Sequence, residues 1–255
     1  MRGLLAFLLI NFSLFAQEKI LSLPNDALDL KHDYFDTQYI IYYNKVEAVK
    51  SEHFYYQYAN PFLGKLETID LKNNLDILLF YKEFSTVVIL DNRMTEKYSI
   101  DFERLFPEIK PIFVGVNRLK DFWIVDEISG QLFLYTTTNQ EMKKLYSGID
   151  VLNSKFYNDA SNFYIQNSND ITEIDLYGRI VTIEITQDFE EILCFDHNWV
   201  IGKVKGKIIA WNIEQDKKLI ITDFDSTMNR FSIFNNQLSI VKGKEVLIFK
   251  LSYGI

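Results

Sequence analysis

The sequence has one cysteine, Cys194, among 255 residues. A single cysteine cannot form an internal disulfide, so the chain must be stabilised by its apolar core. Cys194 lies in the apolar stretch EILCFDH with no basic residue directly beside it, which indicates a buried and unreactive thiol. The sequence therefore predicts neither a disulfide-based fold nor a cysteine nucleophile.

Glycine and proline are scarce as well, with 10 and 4 residues, whereas there are 21 Phe and 15 Tyr. Phe, Tyr, Ile and Val dominate the apolar residues and alanine is rare, which favours strands over helices. Hydrophobic residues make up 48% of the chain, enough for a packed core. The composition thus indicates a globular all-β protein and excludes global disorder.

The chain lacks any run rich in Lys or Arg and carries a net charge of −8. A nucleic acid or an anionic membrane surface would be repelled by such a chain. We therefore expect no nucleic-acid partner, and the negative charge is explained by solubility.

Motifs for phosphate, cofactor and metal binding are missing. No GxxxxGK[ST], GxGxxG or GxSxG motif occurs. The three histidines, His32, His53 and His197, are too widely spaced in the sequence to form a metal-ligand motif. The stretch DFDSTMN from Asp223 begins like a calcium loop but lacks the glycine at its sixth position and the acid at its twelfth. We expect no cofactor and no metal.

No apolar run reaches the ~20 residues that a membrane-spanning helix needs. The N-terminal MRGLLAFLLINFSLFA has the basic residue Arg2, an apolar stretch and the small residue Ala16, the three regions of a secretory signal peptide. We predict cleavage after Ala16, so residues 1–16 are the signal peptide and no membrane span remains. The alternatives are a membrane anchor, or a cytosolic scaffold that keeps this segment.

Short apolar strands that follow a turn recur along the chain. Their first residues are 37 to 45 positions apart: Val46, Val87, Leu132, Ile171, Ile208 and Val246. A period near 40 residues in a β-rich chain is typical of propeller blades, each of which has four strands.

The sixth unit provides only three strands before the chain ends, whereas KILSL, residues 19–23, belongs to no unit. We predict a single domain over residues 17–255, a six-bladed β-propeller closed by pairing of this N-terminal strand with the last blade. Closure would remove an open sheet edge. FERLFPEIK, residues 102–110, is the best candidate for one helical turn. The alternative is another all-β fold, a sandwich or a barrel.

Four acids, each near the inner strand of a different unit, could converge on a central channel: Asp33, Asp70, Asp159 and Asp196. Two carboxylates at a suitable distance suffice for glycoside hydrolysis, so these are the candidate residues of a carbohydrate-active or ligand-binding propeller. The simpler interpretation is that they solvate the channel or cap turns.

The stretch FYYQYANPFLG, residues 54–64, suggests a surface role. Its Asn-Pro pair marks a turn, which places Asn60, Pro61, Phe62 and Leu63 on a loop between two blades. Exposed apolar residues on a loop would anchor a protein partner, whereas buried ones would cover the adjacent blade.

The segment from Tyr58 to Met94 contains NPFLG, IDL and FYKEFSTVVILDN. It resembles a family of uncharacterised exported β-propeller-like proteins of Bacteroidota, whose shared core has similar motifs. The resemblance implies a propeller-like fold and a location in the cell envelope, and it carries no catalytic residues. Asp225-Ser226-Thr227 is similar to the short O-glycan acceptor pattern of that phylum.

Export, a repeat architecture and the missing catalytic motifs favour a non-enzymatic scaffold for protein interactions in the periplasm or at the outer membrane. Its expected partners are envelope or outer-membrane proteins. The alternative is the carbohydrate-active or ligand-binding propeller that uses the channel acids.

Overall fold

The computed structural model describes residues 17–251 except 36, 52, 53, 74, 186 and 197. The predicted signal peptide, residues 1–16, and two of the histidines, His53 and His197, lie outside the described residues. The described chain forms six antiparallel sheets of four strands each. These sheets form a ring, so the predicted six-bladed β-propeller is confirmed.

The strands follow in chain order. The N-terminal strand is β1 (Gln17–Ser22). The first blade contains β2 (Asp29–His32), β3 (Gln38–Ile41), β4 (Lys45–Ser51) and β5 (Phe54–Ala59). The second contains β6 (Thr68–Asp70), β7 (Ile77–Tyr81), β8 (Thr86–Leu90) and β9 (Glu96–Asp101). The third contains β10 (Pro111–Val116), β11 (Phe122–Asp126), β12 (Gln131–Thr136) and β13 (Glu141–Ser147).

The second half of the chain continues this order. The fourth blade contains β14 (Lys155–Asn158), β15 (Asn162–Gln166), β16 (Asp170–Asp175) and β17 (Ile180–Glu184). The fifth contains β18 (Glu191–Phe195), β19 (Trp199–Val204), β20 (Lys207–Asn212) and β21 (Lys217–Asp223). The sixth contains β22 (Met228–Phe234), β23 (Gln237–Lys242) and β24 (Glu245–Lys250). Two short helical segments are present in the described chain, a 3₁₀ helix (Lys82–Phe84) and α1 (Phe102–Leu105).

The N-terminal strand completes the last blade. The strand order of that sheet is β1-β24-β23-β22, with Ile20 opposite Leu247 and Leu21 opposite Val246. The predicted closure by the two ends of the chain is therefore confirmed. Because β1 begins at Gln17, cleavage after Ala16 would leave the whole closing strand in the mature chain.

The core lies between the sheets. Six clusters of buried apolar residues each join two consecutive blades, and one of them joins the sixth blade to the first through Val246 and Leu30. A blade packed on both faces needs apolar residues at successive positions, which explains the continuous runs ILLFY in β7 and TVVIL in β8, both fully buried.

The ring has two loop faces. Strands of a blade alternate in direction, so the linkers between blades and the loops joining second to third strands lie together on what we call the linker face. The loops that join first to second strands, and third to fourth, lie on the turn face. Both helical segments belong to the linker face, and α1 lies within the segment predicted to form one turn.

Candidate functional site

Large apolar side chains project from the linker face over one half of the ring. They are exposed by between 38% and 89% of their surface: Tyr43, Phe62, Phe84, Leu105, Ile128 and Leu152. They come alternately from a loop inside a blade and from the linker that follows it, across the first three blades. We call this set the apolar arc.

Contacts between neighbouring loops hold the arc in place. The Leu66 amide donates to the Tyr43 carbonyl at 2.7 Å, and the Ile149 amide donates to the Gly130 carbonyl at 3.0 Å. Between these points, the Glu127 carboxylate binds the amino groups of Lys82 at 2.8 Å and Lys110 at 2.7 Å. The exposed apolar residues therefore stand on loops that are fixed relative to one another.

The predicted stretch Asn60 to Leu63 forms part of this arc. The Asn60 side chain accepts a hydrogen bond from the Phe62 amide at 3.1 Å, which makes the turn, and Pro61 and Phe62 point to solvent, Phe62 with 84% of its surface exposed. Leu63 points inward and packs against the core between the first two blades. That these residues bind a partner stays a prediction.

The other five members of the arc were missed by sequence reasoning. Each is a single apolar residue in a polar loop, which is unremarkable when it stands alone. The signal that could have found them is their spacing of about twenty residues, half of one blade, because every half-blade step returns the chain to the linker face.

The other half of the linker face is polar. Its loops include Lys205-Gly206, Gly243-Lys244 and the turn at Asp225, whose carboxylate binds the Lys242 amino group at 2.9 Å. Among the described residues in the linker-face loops from the fourth blade onward, no large apolar side chain is exposed. The arc is thus confined to one half of the face.

A smaller exposed apolar group lies on the turn face, in the first-to-second strand loops of the first three blades. It comprises Tyr34, Phe35, Leu75 and Leu119. The Tyr34 ring packs against Phe234 of the last blade with 4.5 Å between centroids, so part of this group supports the ring closure.

Two cavities lie along the channel between the inner strands. The linker-side cavity has a volume of about 520 Å³ and is lined by charged side chains including Asp29, Lys155, Glu191 and Arg230. The turn-side cavity has a volume of about 480 Å³ and is lined mainly by aromatic and polar residues. Lys31 contributes to both cavities.

The structure brings three of the four predicted channel acids together. Asp70, Asp159 and Asp196 line the turn-side cavity, whereas Asp33 lies in the turn after β2 and does not line this cavity. Whether any of them acts on a ligand stays a prediction.

These carboxylates bind groups of their own turns. Asp159 accepts hydrogen bonds from the amides of Ser161 at 2.6 Å and Asn162 at 2.7 Å, and from the Tyr164 hydroxyl at 2.6 Å. Asp196 accepts from the Trp199 amide at 2.8 Å. The acids therefore fix the turns that follow the inner strands.

Asp33 has the same arrangement in the first blade. Its carboxylate accepts from the amides of Phe35 at 2.8 Å and Thr37 at 3.0 Å, and from the Tyr39 hydroxyl at 3.1 Å. Burial and the Asp33 charge raise the pKa of Tyr39, so the phenol remains a donor. An acid at the end of an inner strand, bound by a tyrosine of the next strand, is thus a repeated structural device.

Asp70 is buried and bound on both oxygens. It accepts from the Lys72 amino group at 2.8 Å and amide at 3.0 Å, and from the Val116 amide at 3.1 Å. Burial alone would raise the pKa of Asp70, but Lys72 and these hydrogen bonds outweigh it and hold the pKa below its usual value. An ionised, fully paired carboxylate suits a structural role better than that of a general acid.

Cys194 also lines the turn-side cavity, but its side chain is buried. Burial, with a further contribution from the Asp196 charge, raises the pKa of the thiol. The predicted burial of Cys194 is confirmed, and the raised pKa agrees with the prediction of an unreactive thiol. Within the described chain, neither helical segment has the length and apolar character needed to cross a bilayer.

No protein-family model and no curated protein matches the chain. Solved structures with similar folds exist. A gluconolactonase from Xanthomonas campestris aligns with a TM-score of 0.63 at 10% identity, covering 91% of this chain and 89% of that one. YCF48 bound to D1 peptide aligns with a TM-score of 0.60 at 11% identity, covering 92% and 97%.

The extracellular domain of a hybrid two-component system protein from B. thetaiotaomicron aligns with a TM-score of 0.56 at 7% identity. The alignment covers 88% of this chain and 33% of that one. At such identities the likeness shows the fold alone. These neighbours differ in role, so the propeller by itself assigns no activity.

Proposed function

We propose that the protein is an exported, non-enzymatic propeller that binds another protein of the cell envelope through the apolar arc. The observation that carries this proposal is the concentration of exposed apolar side chains on one half of the linker face. Large exposed apolar patches mark interaction sites in soluble proteins. We expect the partner to be an envelope or outer-membrane protein that contributes an apolar loop or an amphipathic segment to the contact.

The shape of the arc supports a protein partner. Its side chains project outward from several loops, whereas small-molecule sites are concave. Paired charges, such as Lys82 and Lys110 with Glu127, lie between the apolar residues of the arc, and protein interfaces likewise combine apolar contacts with polar ones. YCF48, a propeller of similar fold, has been solved with a peptide bound.

Export is supported by the predicted signal peptide and by the resemblance of residues 58–94 to exported Bacteroidota proteins. The B. thetaiotaomicron neighbour is described as an extracellular domain, which is compatible with this location at the level of fold. Mass spectrometry of the protein from its native cells is expected to show Gln17 as the first residue. A mature protein that retains residues 1–16 would contradict the proposed export.

The interaction can be tested by photo-crosslinking in the native cells. A benzophenone amino acid at position 62 should give one discrete crosslinked protein, whereas the same probe at Leu119 on the turn face should not. Adding Ile128→Asp and Leu152→Asp should abolish the position-62 product without lowering the midpoint of thermal unfolding.

The partner identified in this way is then purified and its binding measured. Loss of a single hot-spot residue costs about 2 kcal/mol or more, so the double variant, which removes two candidates for that role, should weaken the affinity at least ~30-fold. Equal crosslinking from positions 62 and 119, or an affinity unchanged in the double variant, would contradict the role of the arc.

The alternative, a carbohydrate-active or ligand-binding propeller, is favoured by one observation, the turn-side cavity of about 480 Å³ with its aromatic lining and three carboxylates. A thermal-shift screen with mono- and oligosaccharides tests it. A sugar that raises the unfolding temperature of the wild type but not of Asp159→Asn would show that the channel is a ligand-binding site. Asp159→Asn must itself remain folded, because the carboxylate also holds a turn.

A further inference from the structure

The outer strand of each blade leaves one row of backbone groups without a partner inside the sheet. Natural sheets protect such edges with charged residues, above all lysine. Four of the six outer strands follow this rule, since a lysine occurs in β9 (Lys97), β13 (Lys143 and Lys144), β21 (Lys217 and Lys218) and β1 (Lys19). The outer strands β5 and β17 contain no lysine or arginine.

Strand β17 is the edge that places two adjacent aliphatic side chains in solvent. Its sequence IVTIE begins with three β-branched residues, and Ile180 and Val181 are exposed by 49% and 38%. Among the described side chains of β5 the exposed residues are Tyr55, Gln57 and Ala59, and the one large side chain among them, Tyr55, donates its hydroxyl to the Gln57 side chain at 3.2 Å. Strand β17 therefore combines high strand propensity with unprotected apolar side chains.

The hydrogen-bond pattern shows which backbone groups of β17 point outward. The Ile185 amide donates to the Asn169 carbonyl at 2.9 Å, and the Asp175 amide donates to the Arg179 carbonyl at 3.0 Å. The odd-numbered residues of β17 therefore form the hydrogen bonds to β16. In an antiparallel ladder the bonding direction alternates from residue to residue. The amide and carbonyl groups of Ile180, Thr182 and Glu184 therefore point away from the blade.

We propose that β17 pairs with the β17 strand of a second copy of this chain, antiparallel, with Thr182 on the two-fold axis. In this register Thr182 lies opposite Thr182 of the second copy, and Ile180 lies opposite its Glu184. Every residue of β17 whose backbone groups point outward is therefore paired with a residue of the same kind. The three pairs exchange about six backbone hydrogen bonds. A shift of the centre to Val181 would leave Glu184 unpaired and give about four.

Charge also favours pairing between two copies of β17 over pairing between two copies of an edge strand that carries lysine. The only ionisable side chain of β17, Glu184, lies opposite the uncharged Ile180 in the proposed register, so no like charges face each other. Two copies of β13 or β21 would bring pairs of adjacent lysines together. Since each chain carries a net charge of −8, the dimer should strengthen as salt screens the general repulsion.

The proposed pairing joins two four-stranded blades into one eight-stranded sheet. The outer strands lie at the perimeter of the ring, so the two propellers meet edge to edge and both linker faces remain open. The dimer is thus independent of the proposed function, and a loss of either leaves the other intact.

Disulfide trapping tests the register directly. In the hydrogen-bonded pair on the two-fold axis the two Cα atoms are about 5.5 Å apart, within disulfide range. Thr182→Cys should therefore oxidise to a covalent dimer. The matched control is Val181→Cys, whose two copies would be roughly 8 Å apart, beyond the ~7 Å that a disulfide can span. The native Cys194 is buried and should not interfere.

Sedimentation of the purified protein gives the second test. The wild type should dimerise at concentrations of tens of micromolar. Thr182→Lys places two lysines opposite each other on the axis, and Thr182→Pro removes an outward amide without breaking a bond to β16, so both should sediment as folded monomers. Gln57→Pro makes the same change at the outward amide of β5 and should leave the dimer unchanged.

Three outcomes would overturn the proposal: a wild type that remains monomeric at 100 µM, a dimer that survives Thr182→Lys, or dissociation by Gln57→Pro. Equal crosslinking of Thr182→Cys and Val181→Cys would overturn the register. If Thr182→Pro fails to fold, Thr182→Lys and the disulfide pair still decide, because neither changes the backbone donors.

Discussion

The two halves of the linker face have the same architecture, but one half exposes large apolar side chains and the other exposes polar ones. Every interface between blades has an apolar core, which the fold requires because each sheet is too small to bury its faces alone. The loops above those cores carry the exposed apolar arc in the first three blades and lysines, glycines and acids in the remaining ones. Folding therefore does not explain the arc, and this is why we propose a binding role for it.

The two halves also differ in how tightly their strands are buried. Strands β7 and β8 of the second blade are buried along their whole length, whereas the corresponding strands of the sixth blade, β23 and β24, have half-buried or exposed residues at both ends. The blade completed by two chain ends is thus the more open one, and the following predictions compare it with the first half of the ring.

The largest effect is expected from Phe80→Ala. Phe80 in β7 is fully buried between the second and third blades, so its removal leaves a cavity that should cost about 3–5 kcal/mol of unfolding free energy. Phe231→Ala in β22, where the ring is only partly buried, should cost clearly less. Denaturant midpoints measure both, and equal losses would contradict the difference between the halves.

The next effect concerns two ion pairs. Asp70→Asn in the second blade removes the buried negative charge that pairs with the Lys72 amino group. This should lower the unfolding free energy by about 3 kcal/mol at pH 7. Because the pKa of Asp70 is lowered in the folded protein, its contribution is present above the unfolded pKa of ~3.9 and is lost as the pH falls through the lower folded value. The difference between variant and wild type should therefore shrink below about pH 4.

Asp225→Asn in the second half is the matched control. Hydrogen bonds from Lys242 and Thr227 lower the pKa of Asp225 to about 2, but the pair is exposed and screened by water and salt. Its removal should shift the unfolding midpoint much less than Asp70→Asn, and 0.5 M salt should cancel the shift. A larger loss from Asp225→Asn would contradict this comparison.

The smallest effect compares two glycines in linker-face loops. Gly64 and Gly206 have almost the same positive φ, 72° and 73°, so alanine should cost about 1 kcal/mol at either position. At Gly64 an added Cβ would also collide with the Glu83 carboxylate and approach Phe84 at 3.6 Å, whereas nothing lies within 4 Å at Gly206. Gly64→Ala should thus be the more destabilising, and equal thermal midpoints would show that the arc loops are loosely packed.

Much of the fold could be predicted from the sequence because it depends on local patterns. Turn residues followed by apolar strands at a period near 40 identified the blades, and the unassigned strand around Ile20 identified the closure. The position of Phe62 on a loop between two blades was predicted because the Asn60-Pro61 pair marks a turn. Each of these signals is contained in a short stretch of chain.

The site was only partly predictable. Asp70, Asp159 and Asp196 line the turn-side cavity and Asp33 does not, and the hydrogen bonds of these acids to turn amides and to Tyr164 depend on side-chain geometry. The exposure of the β17 edge could not be predicted either, because its run of apolar residues is also typical of a buried strand.

The sequence by itself determined that the chain makes small sheets at a regular spacing and that its two ends share one blade, because strand patterns and turns act between neighbouring residues. Only the tertiary structure decided which apolar residues remain in solvent. That outcome depends on the ring, which brings Tyr43 and Leu152, more than a hundred residues apart, onto one face, while the interfaces between the blades bury most of the other apolar side chains.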